Sequence, residues 1–181
     1  MEKRKMSRTE KIAYTALLVA MQVVLGNLLQ IPLLSKQFHF GFLPIAVAGA
    51  VFGPVAAMLV GGLGDFLGAH LFPAGAYFVG FTLSNILAGL LYGLILYRHK
   101  LCFWRCASAV LAVSLCYLFL NSYWLNVVVP TRSYWVWVGM RWWTYLIEIP
   151  LNTVVCYFAM QLLSKFGLHF PVAAEAAHRS A

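Results

Sequence analysis

Apolar runs and polar interruptions divide the chain into six stretches joined by short connections. The first, residues 12 to 34 (IAYTALLVAMQVVLGNLLQIPLL), is long enough to cross about 30 Å of hydrocarbon as a helix. A short SKQFHF connection leads to the second, Gly41 to Phe52, which has only about twelve residues and contains Pro44 before meeting Gly53 and Pro54. That is too short for an ordinary span and predicts a tilted or broken helix ending in a sharp turn. The third, residues 55 to 72, carries Ala57, Gly61, Gly62, Gly64 and Gly68, small positions at which neighbouring helices can cross closely. The fourth, fifth and sixth cover residues 81 to 97, 104 to 126 and 138 to 164. The aromatic connections at 72 to 80 and in VVVPTRSYWVWVG suit a headgroup layer. The pattern predicts an all-α membrane protein with six transmembrane helices in a compact bundle, the second short or broken. Residues 1 to 165 form the membrane domain and residues 166 to 181 a cytoplasmic tail.

Composition sharpens this reading. Hydrophobic residues are 62% of the chain and charged residues 10%, against about 25% charged in a soluble domain. So few charges cannot cover a water-exposed body, and lipid must cover much of it. A secreted core stapled by Cys102, Cys106, Cys116 and Cys156 is excluded by apolar runs along the whole length, and the thiols have no zinc-like grouping. The net charge of +8 is concentrated in part at the start, where Lys3, Arg4, Lys5, Arg8 and Lys11 precede the first run. That placement reads as a cytoplasmic anchor and not as a nucleic-acid face. The first run is too long for a signal-peptide core and no small-x-small site follows it, so it is expected to remain uncleaved. Six crossings place Lys3, Arg4, Lys5, Arg8, Lys11, Arg98, Lys100, Arg105, Lys165 and Arg179 inside, and Lys36, Arg132 and Arg141 outside. The excess of inner cations agrees with both termini being cytoplasmic in a multi-pass plasma-membrane protein.

With this topology, polar residues from four spans fall in the outer half: Asp65, Asn85, Asn121, and Arg141 with Glu148. A charge in hydrocarbon costs several kcal/mol unless it pairs or faces water. One reading pairs Asp65 or Glu148 with Arg141 to hold the bundle together. The other, favoured by their common depth, is an outward-open cavity for a polar solute. Phe72, Tyr77, Phe81, Trp124, Trp135, Trp142 and Trp143 supply rings that could sandwich a planar ligand. Tyr77 and Trp124 are the expected stacking residues. Ala13, Ala16 and Ala20 line one side of the first span at helical spacing, either for packing within the protein or for a partner. Neither an ATP-binding loop, a paired-histidine metal site nor a nucleophile motif is present, and Asp65 with Glu148 is the only carboxylate pair that an intramembrane enzyme could use. Binding without an engine points to an engine in another subunit.

The stretches TEKIAYTALLVAMQVVL (9–25), FGFLPIAVAGAVFGPVAAMLVGGLGDFLGAHLFPAGAYFVGFTLSNILAGLLYGLILY (40–97), LNSYWLN (120–126) and MRWWTYLIEIPLN (140–152) give the chain a family resemblance. It resembles the substrate-binding membrane components (S components) of energy-coupling factor transporters, most closely the folate-type group. The resemblance implies a six-helix protein that binds a vitamin from outside and joins a transmembrane coupling subunit and two cytoplasmic ATPases. The ATPases hydrolyse ATP, and toppling of the binding protein carries the vitamin inward. It implies no cofactor in this chain, no enzymatic activity of its own and no nucleic-acid partner. The family's small-residue motif falls on Ala16 and Ala20, its acidic third-helix position on Asp65, its arginine on Arg141 and the polar position of its NSYW-like run on Asn121. One departure concerns the ligand. Folate-type members carry a basic residue toward the outer end of the first helix, where this chain reads VLGNLL with Gly26 and Asn27. Lys36 and Arg132 are the loop cations available instead. The expected ligand is folate or a pterin-like vitamin, held by Asp65, Asn85, Asn121, Trp124, Arg141, Glu148 and Tyr77. The alternatives are riboflavin, pantothenate or a similar vitamin, or a scaffold with a structural polar network.

Overall fold

In the computed structural model, residues 7–27, 30–33, 36–73, 77–99 and 102–165 are described. They form α1 (Arg8–Asn27), β1 (Gln30–Leu33), β2 (Lys36–His39), α2 (Phe42–Phe52), α3 (Pro54–Leu71), α4 (Val79–Leu96), α5 (Phe103–Val128) and α6 (Tyr134–Lys165). Five of the helices are long and apolar enough to span a membrane, and α2 is the short apolar one. The tail expected over 166 to 181 lies outside the described residues, as do Lys3, Arg4, Lys5 and Lys100.

The first helix starts earlier and stops sooner than the apolar run suggests. Ser7 and Glu10 form a capping box, in which the Ser7 amide donates to Glu10 Oε2 at 2.8 Å and the Glu10 amide to Ser7 Oγ at 3.2 Å. At the other end a helix continued to residue 34 would place Pro32 in its last turn, where it removes a donor and crowds the preceding carbonyl. The chain instead makes an antiparallel hairpin, with Gln30 opposite His39 and Leu33 opposite Lys36. The sixth helix also starts earlier, at Tyr134, so most of the aromatic segment read as a loop is helical.

Glycine contacts fix how the helices run. A Cβ at Gly61 would meet the Asn85 carbonyl, one at Gly89 the Ala57 backbone and one at Gly93 Pro54, so α3 and α4 are antiparallel and nearly backbone to backbone. Gly64 lies under Gln22 and Gly68 under Asn27, which sets α1 parallel to α3. Gly49 approaches Gly93, with 2.9 Å from an added Cβ to the Gly93 nitrogen, and Gly53 faces the Tyr97 ring, so α2 runs beside α4 in the same direction. Gly53 turns the chain between α2 and α3 with φ +95° and ψ −176°, a conformation open to glycine and costly for other residues.

The bundle thus follows the order α1, α3, α4, α5, α6, with α2 inside it against α1, α3 and α4 and touching α6 only slightly. Ile45, Ala46, Ala48 and Ala50 of α2 are almost wholly buried and form the core with Val60, Tyr92, Val110 and Met160. The remaining helices put large apolar side chains such as Leu17, Leu63, Leu94, Phe158 and Leu162 on the outside, as lipid-facing surfaces require. Of the four thiols, Cys106 and Cys156 are buried, Cys116 half-buried and Cys102 exposed. Because the helices alternate, the start of α1 and the end of α6 share one end of the bundle. The hairpin lies at the other, with the ends of α3 and α5 and the starts of α4 and α6.

Candidate ligand-binding cavity

A cavity of about 230 Å³ opens at the hairpin end and takes its wall from all six helices. Gln22 (α1), Phe42 (α2), Asp65 (α3), Asn85 (α4), Tyr117 and Asn121 (α5), and Tyr145, Glu148 and Asn152 (α6) line it, with His39 and Gly41 from the hairpin side. Tyr92, later on α4, and Val113, earlier on α5, close the bottom. The space exists because α2, at eleven residues, rises only about 16 Å. His39 and Gly41, where the hairpin leads into α2, border the cavity at this end.

Asp65 is the centre of a directed hydrogen-bond network. As a carboxylate it can only accept. Thr82 Oγ1 donates to its Oδ2 at 2.6 Å and Asn85 Nδ2 to its Oδ1 at 2.9 Å. Since the Thr82 proton goes to Asp65, the 2.8 Å contact between Tyr77 OH and Thr82 Oγ1 is donated by Tyr77. Asn85 also donates to the Phe81 carbonyl at 3.1 Å and accepts from Tyr117 OH at 2.7 Å. All three of these Asn85 contacts agree on one orientation of its amide. Glu148 is 8% exposed and Asn152 7%, so both face inward. The buried oxygens Gln22 Oε1, Asn121 Oδ1 and Asn152 Oδ1 have no hydrogen-bond partner among the described residues, although all three side chains line the cavity. Buried polar atoms are usually paired, so atoms left open around a cavity mark a place where a ligand or water completes them.

Of the residues expected from sequence, Asp65, Asn85, Asn121 and Glu148 line the cavity. Tyr77 lies one hydroxyl removed from Asp65, through Thr82. Trp124 sits behind the wall, where its indole N–H donates to Ser84 Oγ at 3.1 Å and its ring lies 5.6 Å from Phe78. Arg141 stands two helical turns before Glu148 on α6, outside the lining. Among the described residues Asp65 pairs with Thr82 and Asn85 rather than with a cation. Among the rings considered for a sandwich, Phe81 reaches the cavity, while Trp135 and Trp143 are each 72% exposed on the outer surface. Ala13, Ala16 and Ala20 are exposed on α1, on a strip bordered by the buried Val19 and Val23 and turned away from Leu18 and Gln22.

The residues missed by sequence reasoning are Gln22, Tyr117, Tyr145 and Asn152. A signal for two of them exists: Arg141, Tyr145, Glu148 and Asn152 recur at steps of four, three and four, one face of a helix. At Gly26 and Asn27, where a basic residue was expected by resemblance, Gly26 lets α1 approach Gly41 and the Asn27 amide covers Gly68. Arg132 is engaged at the start of α6, with Nη1 2.8 Å from Met140 Sδ and its guanidinium 5.8 Å from the Trp137 ring.

Residues 6–162 match the family model described as ECF-type riboflavin transporter, S component. The folate transporter FolT of Clostridium novyi (strain NT) is 31% identical over 169 residues, covering 93% of this chain and 98% of that protein. The folate transporter FolT of Leuconostoc mesenteroides subsp. mesenteroides is 30% identical over 158 residues, 84% of this chain and 85% of the relative. A crystal structure of FolT bound with folic acid superposes with a TM-score of 0.75 at 29% identity, covering 83% of this chain and 92% of the other.

Proposed function

Since the chain belongs to the ECF-type transporter S-component family, we propose that it is a membrane vitamin receptor whose ligand is folate or a close pterin relative, held in the cavity below the hairpin. The family is one of transport components, so the chain's task is to bind and deliver, and catalysis is left to partner subunits. The cavity faces outward and the start of α1 and the end of α6 face the cytoplasm, in keeping with the excess of Lys and Arg at that end. ATP is hydrolysed by two cytoplasmic ATPases, and a transmembrane coupling subunit meets the exposed Ala13, Ala16 and Ala20 stripe.

The observation that carries the ligand assignment is the presence of two carboxylates in the wall, Asp65 from α3 and Glu148 from α6. A pterin presents an amino group and a ring N–H side by side, a pair that matches the two oxygens of Asp65 or Glu148. The isoalloxazine of riboflavin presents a single ring N–H between two carbonyls, and those carbonyls would face carboxylate oxygens. Asn85, Asn121, Asn152 and Gln22 complete the ring contacts, and Phe81 and Phe42 cover its faces. Arg141 stands above Glu148 toward the mouth, where its planar fork suits the carboxylates of the folate tail. With Gly26 and Asn27 uncharged, the cation for that tail is Arg141. Tyr77 and Trp124 act one step back, Tyr77 through Thr82 and Trp124 by fixing Ser84 and Phe78.

Titration of the purified protein with radiolabelled folic acid tests the assignment. Binding is expected to be saturable and to weaken about tenfold or more in Asp65→Asn, through loss of a charged acceptor, and to weaken also in Arg141→Ala. Unlabelled riboflavin and pantothenate are expected not to compete. Full displacement by riboflavin would reassign the ligand, and undiminished binding in both variants would remove the site from this cavity.

A further inference from the structure

Hydroxyl side chains inside helices commonly donate back to the backbone of their own helix. Several do so here: Thr15 to the Lys11 carbonyl at 2.8 Å, Ser84 to that of Gly80 at 3.2 Å and Thr153 to that of Ile149 at 2.8 Å. Thr82, near the start of α4, departs from the habit. Its hydroxyl reaches across to α3 and donates to Asp65 Oδ2 at 2.6 Å. The other oxygen, Oδ1, accepts from Asn85 Nδ2 at 2.9 Å. Thr82 and Asn85 are neighbours on one face of α4, so a single rigid element grips both oxygens of one carboxylate. Each grip is backed by a tyrosine. Tyr77 donates to Thr82 Oγ1 at 2.8 Å, and Tyr117 donates to Asn85 Oδ1 at 2.7 Å. Two hydrogen-bonded chains thus end on different oxygens of Asp65, and turning the carboxylate about its last bond would break at least one of them.

We propose that Thr82 is a positioning residue for ligand binding, whose hydroxyl fixes the plane of the Asp65 carboxylate before the ligand arrives. The proposal rests on the reading above that Asp65 meets the ligand, and deepens it. Asp65 lines the cavity and Thr82 does not, so Thr82 acts through Asp65 and not by its own contact. A carboxylate held by Asn85 alone, through one oxygen, can still swing. Freezing it when the ligand docks then costs affinity, a cost that a carboxylate already held at both oxygens avoids. A tie that only joined α3 to α4 would act differently. It would lower the melting temperature and leave the affinity of the folded protein unchanged.

Folic acid titration of the full-length protein in detergent tests this in a cycle of wild type, Thr82→Val, Asp65→Ala and the double variant, with thermal unfolding measured beside it. Thr82→Val keeps the branched shape and removes the donor. It is expected to weaken folic acid about fivefold, within the roughly two- to tenfold that freezing one side chain implies. Thr82→Ser, which keeps the hydroxyl, is expected to bind within about twofold of wild type. In the Asp65→Ala background the valine substitution is expected to change affinity by less than about twofold, since no carboxylate remains to be positioned. Should Thr82→Val not fold, Thr82→Cys, with a thiol as a weak donor, takes its place in the cycle with the same expected signs. An equal loss in both backgrounds, or a serine variant as weak as the valine one, overturns the proposal. So does unchanged affinity in Thr82→Val while Asp65→Ala weakens binding, an outcome that leaves the ligand reading standing. Undiminished binding in Asp65→Ala overturns both.

Discussion

Tyr117 and Asn85 tie α5 to α4 at the cavity wall, and a double-mutant cycle on this pair examines the network on which the site is built. Tyr117→Phe removes one interhelical bond of 2.7 Å and nothing else of comparable size. Such bonds in membrane proteins average about 0.6 kcal/mol and reach about 1.7 kcal/mol; for a short bond with a fixed partner, about 1 kcal/mol is expected. Asn85→Ala removes three bonds, to Asp65, to the Phe81 carbonyl and from Tyr117. Each group left open costs about 1–3 kcal/mol if dry. The cavity of about 230 Å³ has room for water, however, and water with polar partners recovers part of that loss. The net cost should therefore be about 2–3 kcal/mol, below the dry sum. In the double variant the Tyr117 hydroxyl has already lost its partner, so removing it costs nothing more. The expected coupling energy is about 1 kcal/mol, measured by denaturant unfolding of the detergent-solubilised protein followed by tryptophan fluorescence. Additivity within about 0.3 kcal/mol would refute the bond. With it would go the fixed orientation of the Asn85 amide.

Three further outcomes follow from contacts already described. Gly64→Ala sets a methyl group on the flexible Gln22 amide, whereas Gly89→Ala sets one on the Ala57 and Met58 backbone, 2.7 Å from the Met58 nitrogen. The first should cost under about 1 kcal/mol of stability yet weaken vitamin binding several-fold; the second should destabilise by about 1–3 kcal/mol, both read by thermal unfolding beside ligand titration. Gly53→Ala, at φ +95° and against the Tyr97 ring, should cost about 1–3 kcal/mol, and an unchanged melting temperature would mean that the α2–α3 turn has another conformation. Ala16→Leu, on the exposed side of α1, should leave folic acid binding intact while reducing recovery of the coupling subunit on co-purification; normal co-purification would move the contact elsewhere.

The number of helices was legible because apolar run length is a strong signal, and the shortness of α2 could be counted directly from Gly41 to Phe52. Boundaries set by local chemistry were less visible. The capping box at Ser7 and Glu10 starts α1 among charged residues that a hydropathy reading discounts, and Pro32 ends the helical pattern inside a run that still looks apolar. The exposed aromatic residues of early α6 have the composition of an interfacial loop, and only a face-by-face reading would show a helix presenting Trp135 and Trp143 to the outside. For the site, depth along each span brought Asp65, Asn85, Asn121 and Glu148 to one level. Depth read only to within a turn or two could not leave Arg141, two turns before Glu148 on the same face of α6, outside the wall. Nor does depth say which side chains face in, so it does not single out Tyr145 and Asn152. Gln22 was illegible for another reason. A glutamine within an apolar helix has no special spacing, and its place depends on Gly64 yielding room across the α1–α3 seam.

The stunted second helix has a consequence for how tolerant this architecture is of change. The hollow is made by missing backbone, since α2 begins only at the level of Phe42, beside the cavity, and not by trimming side chains from an otherwise filled core. Single enlargements around the rim would then narrow the chamber by degrees and retune what fits. Inserting one helical turn at the start of α2 would plug it outright while leaving the five long helices able to assemble. The hairpin joins α1 to α2 at this open end and borders the chamber at His39 and Gly41, so changes there would alter the mouth over an unaltered foundation.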